Sequence, residues 1–446
     1  MRKLNVDASK DLVTPDVLSV LQLRTGNEPL LPGLRVFDCE AVSEAFVSFI
    51  PLFLSPGTTE ISITFTADAP TVLVASTIVR FSTLCPSIEY LALIRLPQNR
   101  AITEAVSEML LACNRDTLRV FCVKCPLTDA ARGFLHSLPK LRQVWIFTQG
   151  QTSLPPFTLP NLQQIHVEWD YGHDWLQGFC GVTFGKLKTV TFRPVPGSAQ
   201  IGGFLEDFQS VALSASFQNT LSDFKIFASQ SWNPNYSSLL VFEQMRVLEI
   251  QFSCHNGCSS TVDDDIVTNL ARAMPKLEIL RLGRAPCSTP TGVTLRGLIA
   301  LSCHCPQLSG LRIHVRAREL GEAAIGNEPP LPSENTAVIP RVDCALTNLQ
   351  VGEAPIPQEV APAVALTLLK VFPRIVDIEH ANPLWGKVME MIELFRRIGN
   401  HVDHASKARL LYLKCSLVTS SQETHLHRKS IRERLGVTAL AILPYT

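Results

Sequence analysis

One short pattern recurs from end to end of this chain and narrows the folds open to it. Its clearest copy lies in Met274 to Leu282, which reads Pro-x-Leu-x-x-Leu-x-Leu from Pro275 onward. Leu280 and Leu282 stand two residues apart, so on a strand they face the same side. Pro275 ends whatever helix precedes it, and Leu277 leads into the strand. One such unit cannot bury its own apolar face, whereas a stack of them can.

Aligned on this triplet, the chain falls into successive rungs. They are Leu34/Phe37/Cys39, Thr58/Ile61/Ile63, Ile88/Leu91/Leu93, Leu118/Phe121/Val123, Leu141/Val144/Ile146, Leu162/Ile165/Val167 and Leu187/Val190/Phe192. Then come Leu221/Phe224/Ile226, Met245/Leu248/Ile250, Leu277/Leu280/Leu282, Leu308/Leu311/Ile313, Leu346/Leu349/Val351 and Ile375/Ile378/His380, with Leu410/Leu413/Cys415 a further candidate. Two residues before the first apolar position stands Pro32, Pro56, Pro86, Pro139, Pro160, Pro275, Pro306 or Pro373. Between rungs lie helix-like segments at 41–52, 71–84, 101–112, 128–135, 202–215, 263–273, 293–303, 358–371 and 386–399. Thr128-Asp129 and Asp263 to Asp265 suit helix starts, because hydroxyl and acidic residues satisfy free N–H groups and the positive end of the helix dipole. The expected fold class is α/β: a curved solenoid with a parallel sheet on its concave side and mostly helices on its convex side. It is expected over 31–416, with a polar, proline-rich loop at 318–340. Residues 1–30 read as a helical cap built on Thr14 to Leu23, and 417–446 as a C-terminal cap.

Composition removes several function classes. Forty basic and forty acidic residues cancel to a net charge of zero, which argues against broad electrostatic binding of nucleic acid or an anionic membrane. No run approaches the eighteen apolar residues of a membrane span, and the charged start Met1 to Lys10 is followed by no secretory apolar core. Thirteen cysteines, an odd number, fit reduced thiols in the cytoplasm or nucleus.

The cysteine and histidine clusters are sparse. Cys122-Val-Lys-Cys125 has no second pair at usable distance, and the repeat accounts for both thiols. Cys254-His-Asn-Gly-Cys258 and Cys303-His-Cys305 each offer two thiols and an imidazole, yet Cys303 and Cys305 fall where a helix ends and a rung begins. His401-x-x-His404 and His425-x-His427 lack companions. Phosphate loops, nucleophile elbows and metalloprotease helices are missing. The expectation is a protein that is not an enzyme and holds no metal or cofactor.

The stretch Phe121-Cys-Val-Lys-Cys-Pro-Leu-Thr-Asp129, followed by Phe134-Leu-His-Ser-Leu-Pro-Lys-Leu141, resembles the cysteine-containing leucine-rich repeat of F-box/leucine-rich-repeat proteins. Cys85-Pro-Ser-Ile88 and Cys305-Pro-Gln-Leu308 are similar to that family's rung starts. The long irregular repeats look most like the fungal F-box-like families. The resemblance covers roughly 30 to 415, and no F-box is visible ahead of it. It implies substrate recognition for a cullin-RING ubiquitin ligase of the SCF type, with the ligase's adaptor subunit as a partner if an F-box lies upstream. The alternative is a scaffold that keeps the repeats and has no ubiquitin role.

The repeat register also names the side chains that face away from the core. Trp145, His166, Lys225, Glu249, Arg281 and Arg312 stand between the two strand positions. Phe147, Glu168, Arg193, Phe227 and His314 stand two residues on. Arg281 and Arg312 fall on adjacent rungs, about 5 Å apart by strand spacing, and form an expected basic patch. Glu168-Trp-Asp-Tyr-Gly-His-Asp-Trp175 adds Trp169, Tyr171 and Trp175, which read equally as an interface or as packing in place of a missing helix. This column is the expected protein-binding surface.

Overall fold

The computed structural model describes residues 2–7, 14–26, 28–148, 159–170, 176, 179, 184–195, 203–215, 217–228, 234–252, 262–283, 292–317, 344–352, 354–380 and 382–399. The chain divides into two compact units, Met1–Thr261 with Asp265–Arg284, and Val262–Asp264 with Ala285–Thr446.

The first unit carries strands β1 Lys3–Asp7, β2 Val36–Val42, β3 Glu60–Phe65, β4 Tyr90–Ile94, β5 Val120–Val123, β6 Gln143–Thr148, β7 Gln164–Trp169, β8 Thr189–Pro194, β9 Asp223–Ala228, β10 Val247–Phe252 and β11 Ile279–Leu282. Each pairs in parallel with the strand before it in the chain. Between them run α1 Pro15–Thr25, α2 Glu44–Val47, α3 Ile50–Phe53, α4 Thr71–Val79, α5 Phe81–Leu84, α6 Arg100–Ala112, α7 Asp129–Leu135, α8 Phe204–Ser214 and α9 Asp264–Ala273. The second unit has β12 Gly310–Arg312, β13 Asn348–Gly352 and β14 Asp377–His380, again parallel, with α10 Leu295–His304, α11 Ala361–Val371 and α12 Leu384–Gly399. The protein is therefore an α/β fold built from repeated parallel strands and helices.

The strands form because their side chains alternate. In β9 Phe224, Ile226 and Ala228 are buried while Asp223, Lys225 and Phe227 are half-buried. The same alternation runs through β3 and β6. Leu280 and Leu282 of the defining rung are buried together with Leu277. Helix starts use the expected chemistry. Asn99 accepts from Ile102 N at 3.1 Å, Thr128 from Ala131 N at 3.4 Å and Thr294 from Arg296 N at 3.2 Å. The acidic run at 263–265 opens α9. Within the second unit, to which Asp264 belongs, its carboxylate accepts from Thr294 N at 2.8 Å and Gly297 N at 3.1 Å at the start of α10.

A second signature repeats at strand entry. Two successive N–H groups donate to one carbonyl on the preceding rung. Arg142 N and Gln143 N share Arg119 O at 2.7 and 3.1 Å, and Gln163 N and Gln164 N share Arg142 O at 2.7 and 3.0 Å. Lys188 and Thr189 share Gln163 O, Ser222 and Asp223 share Lys188 O, and Glu278 and Ile279 share Arg246 O. The same geometry at Ser309 and Thr347 marks the second unit as made of the same repeat. It satisfies both carbonyl lone pairs and locks each rung to its neighbour without slippage.

A cluster of phenylalanine rings packs behind β8 and β9 in the core of the first unit. Phe208 of α8 lies 4.9 Å from Phe224, 5.3 Å from Phe192, 5.6 Å from Phe242 and 5.7 Å from Phe217 between ring centroids. One strand was not among the rungs of the sequence pattern. β1 pairs with β2, Leu4 opposite Phe37 and Val6 opposite Cys39, so the N-terminal segment contributes sheet as well as the α1 helix.

Candidate functional site

The face of the first sheet turned away from the core carries the site. Strand register places Trp145 of β6 opposite His166 of β7, then Thr191, Lys225, Glu249 and Arg281 in line. A second line holds Phe147, Glu168 and Arg193. Trp145 and His166 meet edge to face, with ring centroids 4.2 Å apart. The Arg193 guanidinium lies over the Phe227 ring, 5.4 Å from its centroid.

Glu168 is the pivot. It is only 3% exposed, although its strand position faces away from the core. Its Oε1 pairs with Lys124 Nζ at 2.7 Å. Among the described residues its buried Oε2 accepts nothing, and the buried Trp145 Nε1 and His166 Nε2 are also without hydrogen-bond partners. An unsatisfied buried polar atom costs about 1–3 kcal/mol. Three on the outward face of two adjacent strands are an unusual concentration. The His166 imidazole is pushed down to about 3, first by burial and then by the nearby Arg193 and Lys124 charges, so it is neutral at pH 7.

Further along, the same face is closed on itself. Glu249, 5% exposed, accepts from Arg281 Nη1 at 3.1 Å and from Gln251 Nε2. In the second unit Arg312 donates to Gln350 Oε1, and Gln350 donates in turn to Glu379. Arg281 is thus paired with a carboxylate within the first unit, and Arg312 is held by the neutral Gln350 amide within the second. His314 is half-buried in the second unit, where its carbonyl accepts from Val293 N at 2.8 Å.

Trp169 belongs to the core. It is 1% exposed and stacks on Phe204 at 5.3 Å, with Phe192 edge-on at 6.1 Å. Its parity with Ile165 and Val167 was the available signal. Tyr171 and Trp175 lie outside the described residues, as do Cys254 to Cys258, the histidines at 401, 404, 425 and 427, and the Leu410 rung. Glu168 and Glu249 were expected as exposed contact residues, and both are buried. Trp145, Phe147, His166, Lys225 and Phe227 are half-buried, and Arg193 is exposed. Lys124 was missed. Its signal was simple: Cys122 pairs with Trp145, so two residues on Lys124 falls beside Phe147 and Glu168.

Burial pushes the Cys122 thiol up to about 11 and the Cys125 thiol up to about 12. Neither is a thiolate at neutral pH, the form that binds metal. Cys305 is likewise raised to about 12 by burial and the neighbouring Cys344. Among the described residues no cluster of three metal-binding side chains occurs, and no helix is long and apolar enough to cross a membrane. No protein-family model matches the chain, and no curated protein is significantly similar to it.

Proposed function

We propose that the chain is a leucine-rich-repeat protein-binding module, with the outward face of β5 to β9 as its docking surface. The observation that carries this reading is the open polar triad of Trp145 Nε1, His166 Nε2 and Glu168 Oε2, framed by Phe147, Arg193 and Phe227. Aromatic and arginine anchors around partly desolvated polar groups are the composition of interface hot spots. A partner segment that inserts a donor toward Glu168 and an acceptor toward Trp145 relieves the unmet hydrogen bonds and gains specificity from them.

The resemblance to F-box/leucine-rich-repeat repeats supports a finer reading, recognition of a protein substrate for a cullin-RING ubiquitin ligase in the cytoplasm or nucleus. The rival is a scaffold with no ubiquitin role. Neither reading requires a cofactor, a nucleic acid, a membrane or catalysis by this chain. The test is co-purification by the full chain against its Trp145→Ala and Arg193→Ala variants. Partners retained undiminished by both variants would overturn the assignment of this face. Binding of the purified ligase adaptor subunit separates the two finer readings, because the scaffold does not bind it.

A further inference from the structure

A second surface of the first unit has a chemistry unlike the outward face. At the strand-entry edge of β5 to β8 there is a recess of about 280 Å³ lined by Arg119, Lys140, Arg142, Asn161, Gln163 and Lys186. Four of the six are cations, in a protein of zero net charge. The repeat explains the clustering. Arg119, Arg142 and Gln163 are the residues whose carbonyls receive the paired N–H groups of the next rung, so their side chains recur at one height on neighbouring rungs. Lys140, Asn161 and Lys186 each stand two residues earlier in the Pro-x-Leu-x or Gly-x-Leu-x turn of their rungs. Parallel rungs are about 4.8 Å apart, well inside the ~8 Å screening length at physiological salt, so these charges reinforce one another.

Elsewhere on this edge an arginine in the matching slot is neutralised: Arg246 pairs with Glu278 at 2.5 Å. At the recess, among the described residues, only Arg119 has an acid, Glu89 at 3.1 Å. Among the described residues Lys140 and Arg142 have no carboxylate partner. Lys186 is held by a neutral group, the Asn161 Oδ1 at 2.7 Å, while Asn161 Nδ2 donates to Pro139 O at 2.7 Å. That bridge fixes the Lys186 ammonium at the recess without cancelling its charge.

We infer that this recess binds a phosphoryl group. A single carboxylate would leave most of the positive charge unanswered. A phosphomonoester carries close to two negative charges and three acceptor oxygens, which matches an arginine fork flanked by ammonium groups. The site does not depend on the partner-binding face, because its residues lie at the strand entries rather than on the outward column.

The test is calorimetric titration of the full chain with three probes: inorganic pyrophosphate, a phosphoserine peptide of otherwise neutral sequence, and its unphosphorylated twin. Saturable binding of a phosphorylated probe is expected, at least tenfold weaker in Lys140→Glu and in Arg142→Glu. It should be unchanged in Lys276→Glu, a charge reversal on the same edge away from the recess. All four lysine and arginine side chains of the recess are exposed, so melting temperatures should be unaltered, and Arg142→Gln repeats the test without an introduced charge. A peptide that binds at least tenfold tighter than pyrophosphate identifies a protein-borne phosphoryl group, and the reverse order identifies a free polyphosphate. The inference is overturned by the absence of saturable binding of either phosphorylated probe, by equal affinity in the recess variants, or by equal binding of the unphosphorylated twin.

Discussion

Glu168 on β7 and Glu249 on β10 are carboxylates sunk into the same outward face, at 3% and 5% exposure, yet their surroundings differ. Glu249 is closed by Arg281 and Gln251 from its own and the adjacent strand. Glu168 has Lys124 on one oxygen and nothing on the other, beside an indole N–H and an imidazole nitrogen in the same state. Burial of a charged group is tolerated when its partners are supplied. At β10 and β11 the chain places two donors on Glu249 Oε1, and among the described residues Glu249 has no buried atom left without a partner. At β6 and β7 the chain stops short, and the deficit marks the stretch where a second molecule has most to contribute.

The largest expected effect tests the division into faces on which this comparison rests. Leu280 is fully buried on the core side of β11, directly before Arg281. Leu280→Asp buries an unpaired charge and should cost about 4 kcal/mol or more, seen as loss of the folded circular-dichroism signal or as aggregation. A soluble variant with the wild-type melting curve would show that the faces are assigned wrongly. Next comes Trp145→Ala, which should weaken partner binding by about 2 kcal/mol while lowering stability by about 1 kcal/mol, read by paired binding and denaturant titrations. A stability loss without a binding loss would reduce the β6–β7 region to packing.

Arg281→Ala should act in the opposite sense. Binding stays near wild type, and stability falls by about 1 kcal/mol because Glu249 loses its cation, an amount limited by the partial exposure of Arg281. Equal losses at Arg281 and Trp145 in the binding assay would erase the contrast between the two regions. The last effect is a pH dependence. His166 titrates lower in the folded chain than its ordinary 6.5, so the unfolded chain binds the extra proton first. Its contribution is complete above about pH 6.5 and is lost as pH falls toward 3. His166→Gln should therefore flatten the fall in melting temperature between those limits. His136, also pushed down to about 3 by burial and by Arg132, keeps part of the slope in that variant.

The repeat was legible because its physics is local. A proline, a leucine and two alternating apolar residues are enough to set parity, and the helices between rungs were visible from their apolar content and caps. β1 escaped because it enters the sheet without the Pro-x-Leu lead. The outward column was legible as a list of positions, whereas burial within it was not. Glu168 sinks because Lys124, Trp145 and Phe147 surround it from other rungs, and single-strand alternation contains no term for that. Arg281 and Arg312 were read as a pair because rung spacing shows position. Capture by Glu249 and Gln350 depends on how long side chains lean. The phosphoryl recess was present in the sequence as Pro-Lys-Leu-Arg142 and Gly-Lys-Leu-Lys188 in matching slots, and it emerges once the slots are stacked.

The shared carbonyls at strand entry carry a consequence for folding kinetics. In the first unit every described strand pairing joins consecutive strands of the chain, so closing one rung on the next requires only a short loop and little entropy. Such a low contact order lets a nucleus form at one place and grow in both directions. The phenylalanine block around Phe208 is the expected place. In native-state hydrogen exchange the slowest amides should fall in β8 and β9, with protection declining strand by strand toward β1.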